Sequence, residues 1–354
     1  MLQTAFRTLP GTRGVPMADW LPTMAAAYAR AGHDPELYGL AASAGAAEGL
    51  LFGVTTIADH HLNWPADATT DDTVVLAGAT VDAVRGLGGR LVFVRGSARD
   101  DPEHAAQVAV GPAGVHSDGE ATFRALGEVA AQHGLRRRTQ ANEQVDTAIA
   151  LERYGRRPLD LLEEWGWLAP DVTIAHLCDV TADEVARLAD AGVSATHAPG
   201  CDVPMGWGIA PVAALADAGI PVGLGTSGGG SNDAGHLLAD GRLAMQVSAL
   251  VGQQLPARQV LGMMTEGSAA GLGRPELGHL GAGSAGDLCV WDVSGVADAG
   301  VADPVGGLLW ASPGRRPKHV VVGGRVVVRD HRLVTGDERE IAARLAERLA
   351  RTPV

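Results

Sequence analysis

The sequence predicts an α/β fold built on a parallel sheet. Short β-rich runs alternate with amphipathic stretches between residues 50 and 235, and the amphipathic stretches carry helix start and stop signals. Closely spaced β runs appear only after residue 280. Alternation at this spacing is the mark of successive βα units.

The strand-like runs are Gly53 to Asp59, Arg90 to Arg95, Gln107 to Gly111, Asp171 to His176, Gly192 to His197 and Ile220 to Thr226. Two helix starts are marked by capping boxes, Ser117 with Glu120 and Thr181 with Glu184. The second opens a helix with Val185, Leu188 and Ala189 on one side, and Gly192 supplies its stop. Beyond residue 280, Asp287-Leu-Cys-Val-Trp-Asp reads as β structure, and His319 to Val322 and Arg325 to Val328 flank Gly323-Gly324 as a hairpin. Glu338 to Arg351 interleaves Glu and Arg at i, i+4, the pattern of a surface helix with a solvated face.

A length of 354 residues suggests about two domains. Apolar residues make up 46% of the chain and the mean hydropathy is +0.08, enough for a substantial core. Against 41 acidic residues stand 28 basic ones, a net charge of −13 that repels a phosphate backbone and argues against nucleic acid as a partner. Lys318 is the only lysine, so Schiff-base, P-loop and carbamylated-lysine chemistry have a single candidate in a polar C-terminal turn. Cys178, Cys201 and Cys289 are far apart and form no CxxC pair, against both a disulfide scaffold and a thiolate zinc site. The start carries Arg7 and no apolar run, and no stretch of about 18 apolar residues occurs. A cytoplasmic protein without a membrane partner is expected.

In a parallel α/β barrel the reactive groups gather at the C-terminal strand ends. Those ends here carry Asp59-His60-His61, His116, Glu143, His176 and His197. His60 and His61 are adjacent and point to opposite faces of a strand, so at most one enters the barrel. Gly223-x-Gly225-x-x-Gly228 matches a dinucleotide fingerprint, but Ala234 to Val251 reads as helix and no acid-terminated strand follows. The milder reading is a glycine-rich loop whose amides, with Ser227 and Ser231, hold a phosphate or carboxylate. Cys201, four residues from His197, is a candidate nucleophile beside its reading as a small buried residue, and Trp64 and Trp207 are candidate walls for a planar substrate.

Through Leu2-Gln-Thr-Ala-Phe-Arg, Ala58-Asp-His-His, Arg95-Gly-Ser, Ile174-Ala-His, His197-Ala-Pro and Gly223-Leu-Gly-Thr-Ser-Gly-Gly-Gly-Ser-Asn-Asp, the chain resembles the amidohydrolase superfamily. Within it, the chain is most similar to the 8-oxoguanine deaminase and triazine hydrolase branch. Gly286-Asp-Leu-Cys-Val-Trp and Val320-Val-Val-Gly-Gly-Arg-Val-Val-Val resemble that family's composite β-sandwich. The resemblance implies a (β/α)8 TIM-like barrel over residues 1–280, missing its first strand, a β-sandwich remnant over 281–336 and a C-terminal helix over 337–354.

It also implies a divalent metal, zinc or iron, held by a His-x-His on the first strand, a histidine on the fifth and an aspartate on the eighth. A fifth-strand glutamate and a sixth-strand histidine would move protons. The chain starts just after the place of His-x-His, Arg138-Thr-Gln-Ala-Asn-Glu stands where His-Thr-His-Leu-Ala-Glu is typical, and Ser227 stands at the aspartate position. Gln140 thus replaces a ligand. The seventh loop, His197-Ala-Pro-Gly-Cys-Asp-Val-Pro-Met, departs from His-Cys-Pro-x-Ser-Asn. Bound metal lowers the pKa of water from about 15.7 to about 7, and neutral amide and hydroxyl groups do not supply that.

The expected enzyme therefore works without metal or cofactor, by general acid/base chemistry on a small polar heterocyclic or amidine-like substrate, through hydrolysis of a C–N bond or a related cyclisation or dehydration. Glu143, His176 and His197 are the expected catalytic groups, and Gln3, His61, Arg95, His116, Gln140, Asp202, Trp207, Ser227 and Asn232 the expected substrate contacts. Homo-oligomerisation is a further expectation. Two alternatives stand beside this reading: a non-catalytic binding protein, and a zinc or iron deaminase whose site is rebuilt from His61, His116, His176 and His197. Without a first strand, the open sheet edges call for an upstream segment, the Gln3 to Pro10 segment or another subunit to cover them.

Overall fold

The computed structural model describes residues 1–65, 67–94, 106–311 and 314–352. A short 3-10 turn, Leu2–Phe6, precedes helices α1 (Met17–Ala31) and α2 (Pro35–Leu51). There follow β1 (Thr56–His60), α3 (Thr70–Gly86), β2 (Arg90–Val94), β3 (Ala106–Val110), α4 (Glu120–His133), β4 (Arg136–Ala141), α5 (Gln144–Tyr154), α6 (Pro158–Glu164) and β5 (Val172–His176). Next come α7 (Ala182–Ala191), β6 (Ser194–His197), α8 (Pro199–Met205), α9 (Val212–Asp217), β7 (Val222–Leu224), α10 (Leu237–Ser248) and α11 (Ala257–Gly262). A π-helical turn, Met263–Gly267, leads into α12 (Ser268–Gly271), then β8 (Leu288–Val290), α13 (Pro304–Trp310), β9 (His319–Val322), β10 (Arg325–Arg329), β11 (Arg332–Leu333) and α14 (Glu338–Ala350).

Strands β1 to β7 form one parallel sheet in sequence order, curled with helices outside it as in a TIM-like barrel. Among the described residues β1 and β7 are its two edges. The Leu2–Phe6 turn packs on α2, which leads into β1, and on the loop that follows β7: the Gly230 amide donates to Gln3 Oε1 at 3.1 Å, and the indole of Trp20 to the Gly230 carbonyl at 3.3 Å.

Strand β4 escapes a reading by β-rich runs because it opens on three arginines. Alternation explains their tolerance. Arg137 faces outward, forked onto Asp171 by two 2.7 Å bonds and lying 5.2 Å over the Trp167 ring, while Thr139 and Ala141 on the same face are buried under the helices. Arg136, Arg138 and Gln140 take the inner face. The principal core lies between β4–β7 and their helices, with Phe123, Leu162, Trp167, Ile174 and Leu188 fully buried.

The Thr181 capping box forms in both directions, and Gly192 ends α7 at φ 70°. The box expected at Ser117 does not: Gly119 is the N-cap of α4, and Ser117 Oγ turns back to Asp118 at 3.1 Å. Gly323 and Gly324 adopt φ 56° and 79°, the left-handed pair of a two-residue hairpin turn. Helix α14 is less solvated than its charge pattern suggests, since Arg348 is buried and pairs with Asp34 while Arg351 reaches Glu36.

The C-terminal strands form a single antiparallel sheet ordered β11-β10-β9-β8. Where a complete sandwich would have a second sheet, none is present among the described residues: Leu50, Leu51, Val84 and Leu87 of the helical region pack on Val320, Val322, Val327 and Val328. Arg90 at the start of β2 locks the junction, meeting Asp287 at 3.0 and 3.1 Å, and Asp287 also accepts the Gly323 amide. Arg90→Ala is expected to lower unfolding free energy by about 2 kcal/mol, since it strands a largely buried carboxylate; urea titration reads the change, and an unaltered midpoint contradicts it.

Candidate active site

The C-terminal ends of β4 and β5 are built from consecutive tight turns. After β4, Asn142 is left-handed at φ 57°; its amide donates to Asp146 at 2.8 Å, and its side-chain amide donates to the Asp179 carbonyl at 2.9 Å. This fixes Glu143 as the N-cap residue of α5 with its carboxylate turned away from the helix amides. After β5, His176 and Leu177 are left-handed at φ 76° and 54°, and the Leu177 amide returns to the Ala141 carbonyl at 3.0 Å. Bulky residues rarely adopt that geometry, and such strain persists only where surrounding contacts enforce it.

The two turns bring Glu143 and His176 together. His176 Nε2 lies 3.6 Å from Glu143 Oε1, beyond a hydrogen bond but within strong Coulomb coupling. His176 Nδ1 and Asp202 Oδ1 share a 2.6 Å hydrogen bond, and Asp202 Oδ2 is 3.8 Å from His197 Nδ1. Trp207 presents its ring edge-on to the imidazole, with centroids 5.2 Å apart. All five side chains are buried. Both Glu143 oxygens, His197 Nδ1 and Asp202 Oδ2 are buried without a hydrogen-bond partner among the described residues. Unpartnered polar atoms at that density are costly unless something else meets them.

Burial pushes the Glu143 carboxyl up to about 7, against the pull of His176 and His116 and with help from Asp146 and Asp202. Burial alone would depress His176, yet Asp202 and Glu143 override it and raise the imidazole to about 8. His197 is pushed down to about 4 by burial and is neutral. A carboxyl poised near neutrality beside a histidine held protonated is suited to passing a proton in either direction.

The other expected residues divide. His116 stands 3.4 Å from Asp146 in the loop after β3, packed where a side chain at Gly114 would collide with it, and belongs to the same strand-end group. Gln140 shares the inner face with Arg138. Ser227 is exposed and left-handed at φ 57°. Arg95 lies outside the described residues.

Several expectations are corrected. His61 turns away from the barrel into an aromatic nest of Tyr38, Trp64 and Phe93, which also removes Trp64 as a wall of this site. His60 is the one that enters, with Nε2 2.8 Å from the Gly111 carbonyl; the four-histidine metal site is therefore not assembled. Gln3 and Asn232 are internal fastenings of the loop after β7, because Asn232 Nδ2 donates to Thr226 O at 2.7 Å and to Asp240 Oδ2 at 3.1 Å. The amides of Gly230, Ser231 and Asn232 in that loop are consumed, by Gln3 and by the Gly228 carbonyl, so this part of the loop offers no anion cradle. Cys201 is buried, and burial followed by Asp202 keeps its thiol protonated, against a role as nucleophile.

Sequence reasoning did not select His60, Asp146, Thr196 or Arg138 as site groups. Arg138 was the legible one, since it shares the inward register of Gln140. Its Nη1 meets Thr196 Oγ1 at 3.1 Å.

A model of the amidohydrolase family matches residues 3–327. An 8-oxoguanine deaminase of Pseudomonas aeruginosa is 32% identical over 359 residues, covering 91% of this chain and 78% of its own. A 5-methylthioadenosine/S-adenosylhomocysteine deaminase of Nitratidesulfovibrio vulgaris is 30% identical over 337 residues, covering 89% and 74%. Among solved structures, the atrazine chlorohydrolase of Arthrobacter aurescens complexed with zinc superposes with a TM-score of 0.90 at 34% identity, over 98% of this chain and 85% of that one.

Proposed function

From the premise that the chain belongs to the amidohydrolase family, whose hydrolases act on non-peptide C–N bonds, we propose that it hydrolyses a C–N bond of a small polar heterocycle by proton transfer between Glu143 and His176, independently of a metal. The observation that carries this reading is the buried Glu143–His176–Asp202 constellation with both Glu143 oxygens unpartnered. In the reaction, Glu143 takes a proton from water as its oxygen bonds to the ring carbon, and the C–N bond breaks as the nitrogen receives a proton from Glu143 or His176. The products are a carbonyl compound and an amine or ammonia. Asp202 holds the His176 ring, Trp207 walls it, and His197 acts through Asp202 as a positioning residue. His116 and Gln140 line the substrate space.

The family's divalent metal would polarise the attacking water, but the donors at its implied positions fit it poorly. Gln140 and Ser227 bring neutral oxygens where imidazole and carboxylate bind well. The Arg138 guanidinium lies on the same inner face as Gln140, and a fixed positive charge there opposes a second cation.

The test is ammonia or amine release from purines, pterins and triazines, with metal content measured on the same preparation. Turnover that survives chelation, with metal well below one per chain, is the expected outcome. Stoichiometric zinc or iron whose removal abolishes turnover overturns metal independence, and ligand binding with no turnover in any class favours a binding protein.

A further inference from the structure

We infer that Arg138 is the anchoring cation of the barrel, and that the ligand it selects is a small heterocycle carrying a planar anionic group, such as a carboxylate or an ionised ring imide. This inference rests on the small-heterocycle reading above and names the substrate class for that site.

The register of β4 places the residue. Arg138 pairs with Thr173 of β5, and Gln140 with Ala175, which in turn pairs with Thr196 of β6. To reach Thr196 Oγ1, the Arg138 side chain climbs one inward-facing level toward the C-terminal ends, arriving at the height of Gln140, in the direction of His176. Its charge disfavours protonation of both His60, at the end of β1, and His176.

Thr196 is the only hydrogen-bond partner of this guanidinium among the described residues, and no carboxylate there pairs with it. The nearby acids face other groups: Glu143 and Asp202 face His176, and Asp146 faces His116 and the Asn142 amide. The contrast with Arg137 on the same strand is direct, since that guanidinium is saturated by Asp171. A guanidinium presents five donors in a fixed fork that matches a planar anion through two parallel bonds. Arg138 is enclosed by the barrel yet keeps accessible surface, so the donors not used by Thr196 border the interior space. An enclosed cation without an acid is costly, and an incoming anion relieves that cost. Gln140 beside it offers both a donor and an acceptor to the ring that carries the anion.

Calorimetric titration of the full chain with matched pairs tests this: orotate against uracil, and pyrazine-2-carboxylate against its carboxamide. The anion of a pair is expected to bind at least about tenfold more tightly than its neutral partner. Arg138→Gln should weaken anion binding by about 30-fold or more and erase the preference. Arg138→Lys should retain part of it. Equal affinity within both pairs, no anion binding at all, or undiminished anion binding in Arg138→Gln overturns the inference. Melting curves establish that the variants fold; where Arg138→Gln does not, an Arg138→Lys affinity equal to wild type overturns it, because the fork is lost while the charge stays. Anion-selective binding without turnover of any substrate refutes the catalytic proposal and leaves this one standing.

Discussion

Glu143→Gln is expected to reduce turnover by about 10²–10⁴-fold, the range for losing a positioned proton-transfer group, while the protein stays folded. The amide fits the same buried space but neither takes a proton from water nor returns one to nitrogen. Stability moves the other way and depends on pH. The folded carboxyl titrates near 7 instead of its ordinary 4.5, because burial penalises its ionised form. Its contribution is therefore fully present below 4.5 and is lost as pH rises to about 7. Melting temperatures measured across that window should fall more steeply for wild type than for Glu143→Gln, leaving the variant relatively more stable at pH 8. Parallel curves would show that Glu143 meets a partner that spares it the cost of ionising, and an unchanged rate would remove it from the chemistry.

Asp202→Asn is expected to cost about 10–100-fold in kcat/KM at pH 8, with a displaced profile as its signature. Burial works against a charged His176, and Asp202 is the foremost of the groups that overcome it, with Glu143 second. Neutralising Asp202 lets burial prevail, so His176 loses its proton at lower pH. The alkaline limb of the kcat/KM profile should shift acidward from about 8. Because Glu143 and His176 are 3.6 Å apart, the two limbs belong to the pair, and both should respond. A uniform loss with the limbs in place would mean that Asp202 only holds the ring.

The sequence shows the βα alternation because six of the seven parallel strands are dominated by apolar and β-branched residues, and it conceals β4 because Arg136–Arg138 carry side chains whose inward or outward fate composition does not reveal. Glu143 and His176 are legible as ionisable groups at strand ends. Their encounter depends on left-handed turns at Asn142, His176 and Leu177, and residue type does not announce that backbone at a leucine. The choice of His61 over His60 shows the limit of alternation, which establishes that the two oppose each other without saying which faces inward. The loop after β7 misleads for another reason: glycines that admit a phosphate and glycines that admit another stretch of backbone look alike in one dimension.

The triplet Gly228-Gly229-Gly230 has a consequence for how this chain tolerates change. A methyl group at Gly228 would strike the Gln3 side chain, one at Gly229 the Gln3 main chain, and one at Gly230 the Met24 terminus. Three neighbouring positions thus answer to a stretch more than two hundred residues earlier. Alterations at either place are paired by shape alone: enlarging a glycine demands a smaller or displaced counterpart near residues 3 and 24, and recombination that exchanges one half without the other should separate two surfaces that fit only together.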